Sequence, residues 1–183
     1  MTTAASTHPC SRLRVRLVLA CLSACGLAAL AWVAFVQPLP RLVYNPSDSV
    51  PVGWYRIGPA DALHVGDIVL TTLPPDVAAL ASQRHYLPAR VPLLKRVGAV
   101  APQHVCVFDA LVWIDGVPVA AVLPADRLGR PLPSWPHCRR LEAGELFLLS
   151  STNPASFDSR YFGPVSASAV IGVAHPLWLE SRP

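Results

Sequence analysis

The chain has 183 residues and a mass of 19.6 kDa, the size of one domain with room for an appendage. Hydrophobic residues make up 52% and charged residues 14%, which excludes a disordered chain and a charged helical bundle, and twenty prolines favour short strands and loops over long helices. Three of the 15 basic residues (Arg12, Arg14, Arg16) lie near the N-terminus; the remaining 12 meet 11 acidic ones, so no basic patch for nucleic acid is visible beyond them.

Residues 17–36 carry no charge. At about 1.5 Å per residue they span about 30 Å, the thickness of a bilayer core. The three arginines before them place residues 1–16 in the cytoplasm by the positive-inside rule. Trp32 and Phe35 suit an interfacial anchor at the far end. A cleaved signal peptide would have a shorter apolar core and a small-x-small cleavage site, but this segment runs into Phe35, Gln37, Pro38 and Pro40. The expectation is an uncleaved transmembrane signal-anchor over 17–36, with 37–183 outside the cytoplasm, in the periplasm of a bacterial cell.

From residue 37 onward, short apolar runs alternate with turn signals. Residues 45–55 read as an irregular Pro/Gly/Ser loop holding Ser47 and Ser49. Strands are expected at 67–73, 91–100, 105–108 and 111–114, the last two joined by a tight turn at Asp109 and Ala110. Asp115-Gly116 is a two-residue hairpin signal before a strand at 117–119. Residues 75–85 are the one short helix expected, 126–140 a loop, and 146–149 and 170–173 late strands. The whole reads as one mostly-β domain of 37–183 behind a single helix.

The chemistry-bearing residues fall in three stretches. A serine in a polar loop such as 45–55 is in most proteins only a loop residue. Lys95 is the only lysine, all other basic residues being arginine. In a strand it shares a face with Leu93 and Val97, so it is partly desolvated and its pKa is lowered. Such a lysine acts as a general base near neutral pH, which arginine cannot; the rival reading is a snorkelling lysine at a strand edge. Asp158 and Arg160, two apart, suit a structural ion pair.

Cys10, Cys21 and Cys25 lie in or before the apolar segment and read as small filler. Cys106 and Cys138 are the only two beyond it, and a bridge between them would close a loop of about 33 residues, worth roughly 3–4 kcal/mol in the chain-entropy model. Free thiols and a metal site with His104 and His137 are the alternatives. The spacing of these four matches no structural zinc motif, so no metal is expected.

Taken in order, these segments resemble the signal peptidase I superfamily, the membrane-anchored Ser–Lys peptidases. Pro46-Ser47-Asp48-Ser49 is similar to the P-S-x-S box, Gly66-Asp67-Ile68-Val69 to G-D-x-V, Lys95-Arg96-Val97 to K-R-V, and Asp158 to Gly163 to D-S-R-Y-W/F-G. The pattern looks closest to the TraF-type branch of conjugative transfer peptidases. It shares Ser49-x-Pro51-x-Gly53-x-Tyr55, Gly129-Arg130-Pro131-Leu132-Pro133, the Cys106 and Cys138 pair, and Ser156-Phe157 before Asp158. It departs from the wider pattern at Ser151-Thr152-Asn153, where G-D-N is usual, at Gln103-His104, and at Val50 after the nucleophile position.

The resemblance implies a signal-peptidase-like β domain and a serine endopeptidase. Ser49 is then the nucleophile and Lys95 the general base, with Asp158 supporting. The Ser49 N–H and the Ser47 hydroxyl hold the oxyanion, while Ser156 and Arg160 orient and brace. The substrate implied is a membrane-inserted prepilin, or alternatively the many preproteins of a general signal peptidase; whether the product is hydrolysed or cyclised is not legible. The partners expected are this substrate and the bilayer, and the chemistry needs no cofactor. Two further alternatives are a non-catalytic envelope assembly module and a self-cleaving repressor-type protease. His85, Tyr86 and Trp135 are candidate groove residues or simple packing.

Overall fold

The computed structural model describes residues 9–36, 41–150 and 152–180, without the side chains of 9–11 and 36. Residues 1–8 of the expected N-terminal tail, residues 37–40 and Ser151 lie outside these, as does the Cys10 side chain. The chain divides into two units, Met1–Leu39 and Pro40–Pro183. The first holds one helix, α1 (Pro9–Val36). Its stretch Arg12–Phe35 is long and apolar enough to cross a membrane. The helix begins before residue 17 because Leu13, Val15 and the arginines between them are compatible with helix and no proline or glycine stops it.

The second unit is mostly β, as expected. Its first strands are β1 (Leu42–Asn45), β2 (Gly53–Gly58) and β3 (Ile68–Thr71), followed by helix α2 (Pro75–Gln83). Next come β4 (Leu93–Val100), β5 (His104–Phe108), β6 (Leu111–Ile114), β7 (Val117–Ala121), β8 (Cys138–Arg140) and β9 (Glu145–Leu149). A short helix α3 (Ser159–Phe162), β10 (Val165–Ser166) and the long β11 (Val170–Leu179) complete it. One antiparallel sheet runs β1-β2-β11-β3-β4-β9-β10, and a smaller one β7-β6-β5-β8. A core of Ala99, Val105, Val112, Phe147 and their neighbours joins residues of the two sheets.

Both expected hairpin turns are present. Asp109 and Ala110 have φ of 50° and 57°, and Asp115 and Gly116 have 49° and 82°, the left-handed pairs that match strand twist. The expected loop 45–55 is in part a correction. Gly53 opens β2, with φ of 145° and its α-carbon so close to β11 that a Cβ would lie 2.1 Å from the Trp178 carbonyl oxygen. Only glycine lets β11 pair there. The loop expected at 126–140 also ends as strand: Cys138 faces Cys106 in the β5–β8 pair and is disulfide-bonded to it. A three-residue strand with no alternating pattern has no sequence signal of its own. The strand at 170–173 extends to Leu179 because the edge of β2 is there to pair with it.

The disulfide pins the far end of the 122–137 segment to β5, and its sequence separation of 32 makes it a chain-entropy staple. Replacing both cysteines with serine should cost about 3 kcal/mol and lower the melting temperature of the β unit. Thermal unfolding with and without reductant checks this: wild type in reductant should approach the variant, and the variant should not respond.

Candidate active site

Ser49 sits on the loop between β1 and β2. Asn45, 4% exposed, organises that loop. Its Nδ2 donates to the carbonyls of Ser47 (2.8 Å), Val50 (3.0 Å) and Pro51 (3.2 Å), and its Oδ1 accepts from the Ser47 N–H and hydroxyl. Val50, next to Ser49, is fully buried with Tyr55, Leu70, Leu94 and Ala174. The Tyr55 hydroxyl donates to the Pro51 carbonyl at 2.5 Å. Pro51, Gly53 and Tyr55 of Ser49-x-Pro51-x-Gly53-x-Tyr55 therefore each have a local task in shaping this loop.

Lys95 lies in β4, paired with Val69 of β3, and is 1% exposed. Its Nζ donates to Ser49 Oγ at 2.6 Å and also to Ser156 Oγ, and the two hydroxyls are 3.2 Å apart. Residues 46 and 61 positions away in the chain thus meet one amine. Burial lowers the Lys95 pKa to about 8 from 10.5. Asp158 pulls it up and Arg160 pushes it down, so the two members of the ion pair oppose each other and desolvation prevails.

Asp158 and Arg160 are both buried and joined by a two-pronged ion pair, Nε to Oδ1 at 2.7 Å and Nη2 to Oδ2 at 2.9 Å. Arg160 donates onward to the carbonyls of Ser156, Pro154 and Ala121. Asp158 accepts the Ser150 N–H at 2.9 Å, and the Ser150 hydroxyl donates to the Ser49 carbonyl at 2.8 Å. The Thr152 hydroxyl donates to the Asp48 carbonyl. The segment that departs from the usual G-D-N pattern is therefore tied to the loop of Ser49 through Ser150 and Thr152.

The geometry brings together Ser49, Lys95 and Ser156, with Asp158 and Arg160 behind them. The Ser49 N–H makes no hydrogen bond among the described residues, whereas the Ser47 hydroxyl is bonded to Asn45 and must turn to serve an oxyanion. Sequence reasoning assigned no role to Asn45 or Ser150. Asn followed by Pro, two residues before a serine, is a turn-nucleating pattern that points to Asn45; Ser150 has no such signal. A cavity of about 440 Å³ opens beside Ser49 and Lys95 and is lined by His85 and Tyr86 among others. Trp135 is not among its lining residues: it packs on Phe147 and His137 beneath Arg139. Its indole fills the space beside Gly163, where a Cβ would lie 2.6 Å from it. His104 stands beside the Cys106–Cys138 pair, but the two sulfurs are bonded to each other and offer no thiolate.

Residues 14–179 match the family described as signal peptidase, peptidase S26. The chain belongs to this family. Two plasmid transfer proteins TraF of Escherichia coli are 35% and 34% identical over 144 residues, covering 73% of this chain and 80% of theirs. The probable conjugal transfer protein TraF of Sinorhizobium fredii is 35% identical over 162 residues, 84% of this chain and 82% of its own. A solved signal peptidase I of Enterococcus faecalis V583 aligns with 62% of this chain and 97% of its own at 21% identity, with a TM-score of 0.37. Membership in the S26 family makes the chain a serine peptidase of the signal peptidase type, anchored by an N-terminal apolar helix.

Burying an amine has a stability consequence. The unfolded chain holds the lysine proton more tightly than the folded one, so wild-type stability should rise between about pH 8 and 10.5. Lys95→Met should be more stable than wild type at pH 7, by up to about 3 kcal/mol less what is lost in hydrogen bonds to the two serines. The gain should shrink towards pH 10. Melting temperatures of both proteins across that range check it, and a gain that grows with pH would contradict it.

Proposed function

We propose that the chain is a membrane-bound serine endopeptidase with a Ser49–Lys95 dyad that matures a pilin subunit of a conjugative transfer system. The observation that carries the reading is the contact of the buried Lys95 amine with Ser49 Oγ at 2.6 Å beside an open cavity. The likeness to the TraF proteins supports the conjugative setting. The arginines before the apolar helix support an N-terminus in the cytoplasm and a peptidase unit, 37–183, in the periplasm. A helix anchor suits substrates held in the same bilayer.

In this mechanism neutral Lys95 takes the proton of Ser49 as Oγ bonds to the scissile carbonyl carbon. The carbonyl oxygen gains the negative charge and is held by the Ser49 N–H and the Ser47 hydroxyl, once the latter leaves Asn45. The Lys95 ammonium then gives its proton to the leaving amine as the C–N bond breaks. Water, or an amino group of the substrate itself, attacks the ester and Ser49 is freed. Ser156 holds the amine in register, and Asp158 with Arg160 holds Ser156 and the strand behind it.

Co-expression with a candidate prepilin tests this. Ser49→Ala and Lys95→Arg should accumulate in the membrane and leave the precursor uncut, whereas wild type should cut it. For wild type, kcat/KM should rise about tenfold per pH unit below about 8 and flatten above it, because the base must be neutral. Normal processing by Lys95→Arg would make Lys95 structural and end the mechanism.

A further inference from the structure

The wall of the cavity facing solvent is built by the end of α2 and the 124–132 turn, and Asp126 locks the two together. Its Oδ1 accepts the N–H groups of Leu128 and Arg130, both at 2.9 Å. Its Oδ2 accepts the Tyr86 hydroxyl at 2.5 Å and Arg130 Nε at 2.7 Å. All of this carboxylate's strong acceptor positions are thereby engaged within the wall, and its charge is matched by Arg130.

Arg84 stands in the same wall without such a partner. Its Nη1 is pinned by the Pro131 carbonyl at 2.7 Å and touches the Tyr86 hydroxyl at 3.4 Å. Its Nε and Nη2 make no hydrogen bond among the described residues, and both Arg84 and Arg127 line the cavity. Arg127 is exposed and makes neither a hydrogen bond nor an ion pair among the described residues. The other carboxylate lining the cavity, Asp48, lies on the Ser49 loop rather than on this wall. A guanidinium fixed at one nitrogen keeps the Nε–Nη2 edge in place, the edge that grips a carboxylate with two parallel bonds. Tyr86 and Phe157, with ring centroids 5.2 Å apart, give the cavity an aromatic side for the rest of a peptide. At about 440 Å³ the space exceeds what one small side chain at a cleavage point fills.

We propose that Arg84, aided by Arg127, determines specificity by binding a carboxylate of the substrate peptide close to the bond that is cut. The inference rests on the peptidase reading above. The carboxylate belongs either to an Asp or Glu side chain or to a free C-terminus.

The test uses the full chain in detergent micelles and short internally quenched peptides on an alanine-rich frame. An Asp, Lys or Gln is walked through each position, and each peptide is made with a free and with an amidated C-terminus. Wild type should favour acidic over neutral peptides at one position, and Arg84→Gln should lower that kcat/KM ratio roughly tenfold. A preference kept in amidated peptides assigns a side chain; one lost on amidation assigns the terminus. Arg84→Lys, which keeps the charge without the fork, should fall between. If Arg84→Gln loses acidic and neutral cleavage alike, its wall has collapsed, and Arg127→Glu at the exposed position decides: the ratio must fall there, and an unchanged ratio overturns the proposal. Ser49-dependent cleavage with no acidic preference, or a preference surviving in the Arg84→Gln/Arg127→Gln double variant, also overturns it and leaves the peptidase reading intact. No cleavage by wild type, or equal cleavage by Ser49→Ala, overturns both.

Discussion

The arrangement depends on an amine held where water does not reach. An exposed lysine keeps its proton at neutral pH and can accept none. Lys95 is 1% exposed, and burial is the largest cause of its pKa falling to about 8. That desolvation is supplied by position. β4 is flanked by β3 and β9 in the large sheet, so a side chain on its inner face is covered by neighbours on both sides. An arginine there would stay charged, and a lysine on an edge strand would stay wet.

A buried amine must still have its hydrogen bonds satisfied, and satisfying them with charge would undo the effect. A carboxylate in direct contact would raise the lysine pKa again. The structure resolves this with two neutral hydroxyls, Ser49 and Ser156, as the partners of Lys95. The one nearby carboxylate, Asp158, is saturated by Arg160 and the Ser150 N–H. The ion pair thus acts as an electrically quiet brace. It fixes the Ser156 carbonyl through Arg160 and the Ser49 carbonyl through Ser150, so the two hydroxyls that meet the amine are held from one source. Removing either partner of the pair would leave a buried charge alone, a far larger disturbance than losing one hydrogen bond.

Much of this was legible in the sequence, for reasons that differ by residue. Lys95 stood out because it is the only lysine and sits among apolar neighbours on a strand, and the two tight hairpins were written in Asp109-Ala110 and Asp115-Gly116. The short strands β1, β8 and β10 were not, because their few residues form strand only where a partner edge is offered. Gly53 looked like a loop residue, since the close approach of β11 that demands glycine comes from the other end of the chain. Trp135 stood open between groove and packing, and the neighbours on which it packs, Phe147 and Gly163, are likewise distant in sequence. Ser150 was silent because its role runs through its backbone N–H and a single hydroxyl bond, neither of which leaves a compositional trace.

The cavity adds a coupling between binding and chemistry in the proposed mechanism. Ser49 is only partly buried, and the cavity opens beside it and Lys95. A peptide filling that space would keep solvent out of the cavity and deepen the desolvation already lowering the lysine pKa. The base would then become more fully neutral when a substrate is in place than when the site is empty. Because Asp158 is already saturated and neutralised by Arg160, nothing in the brace would move to oppose that shift. Substrate occupancy and base readiness would rise together, through exclusion of water alone and without a change in the fold.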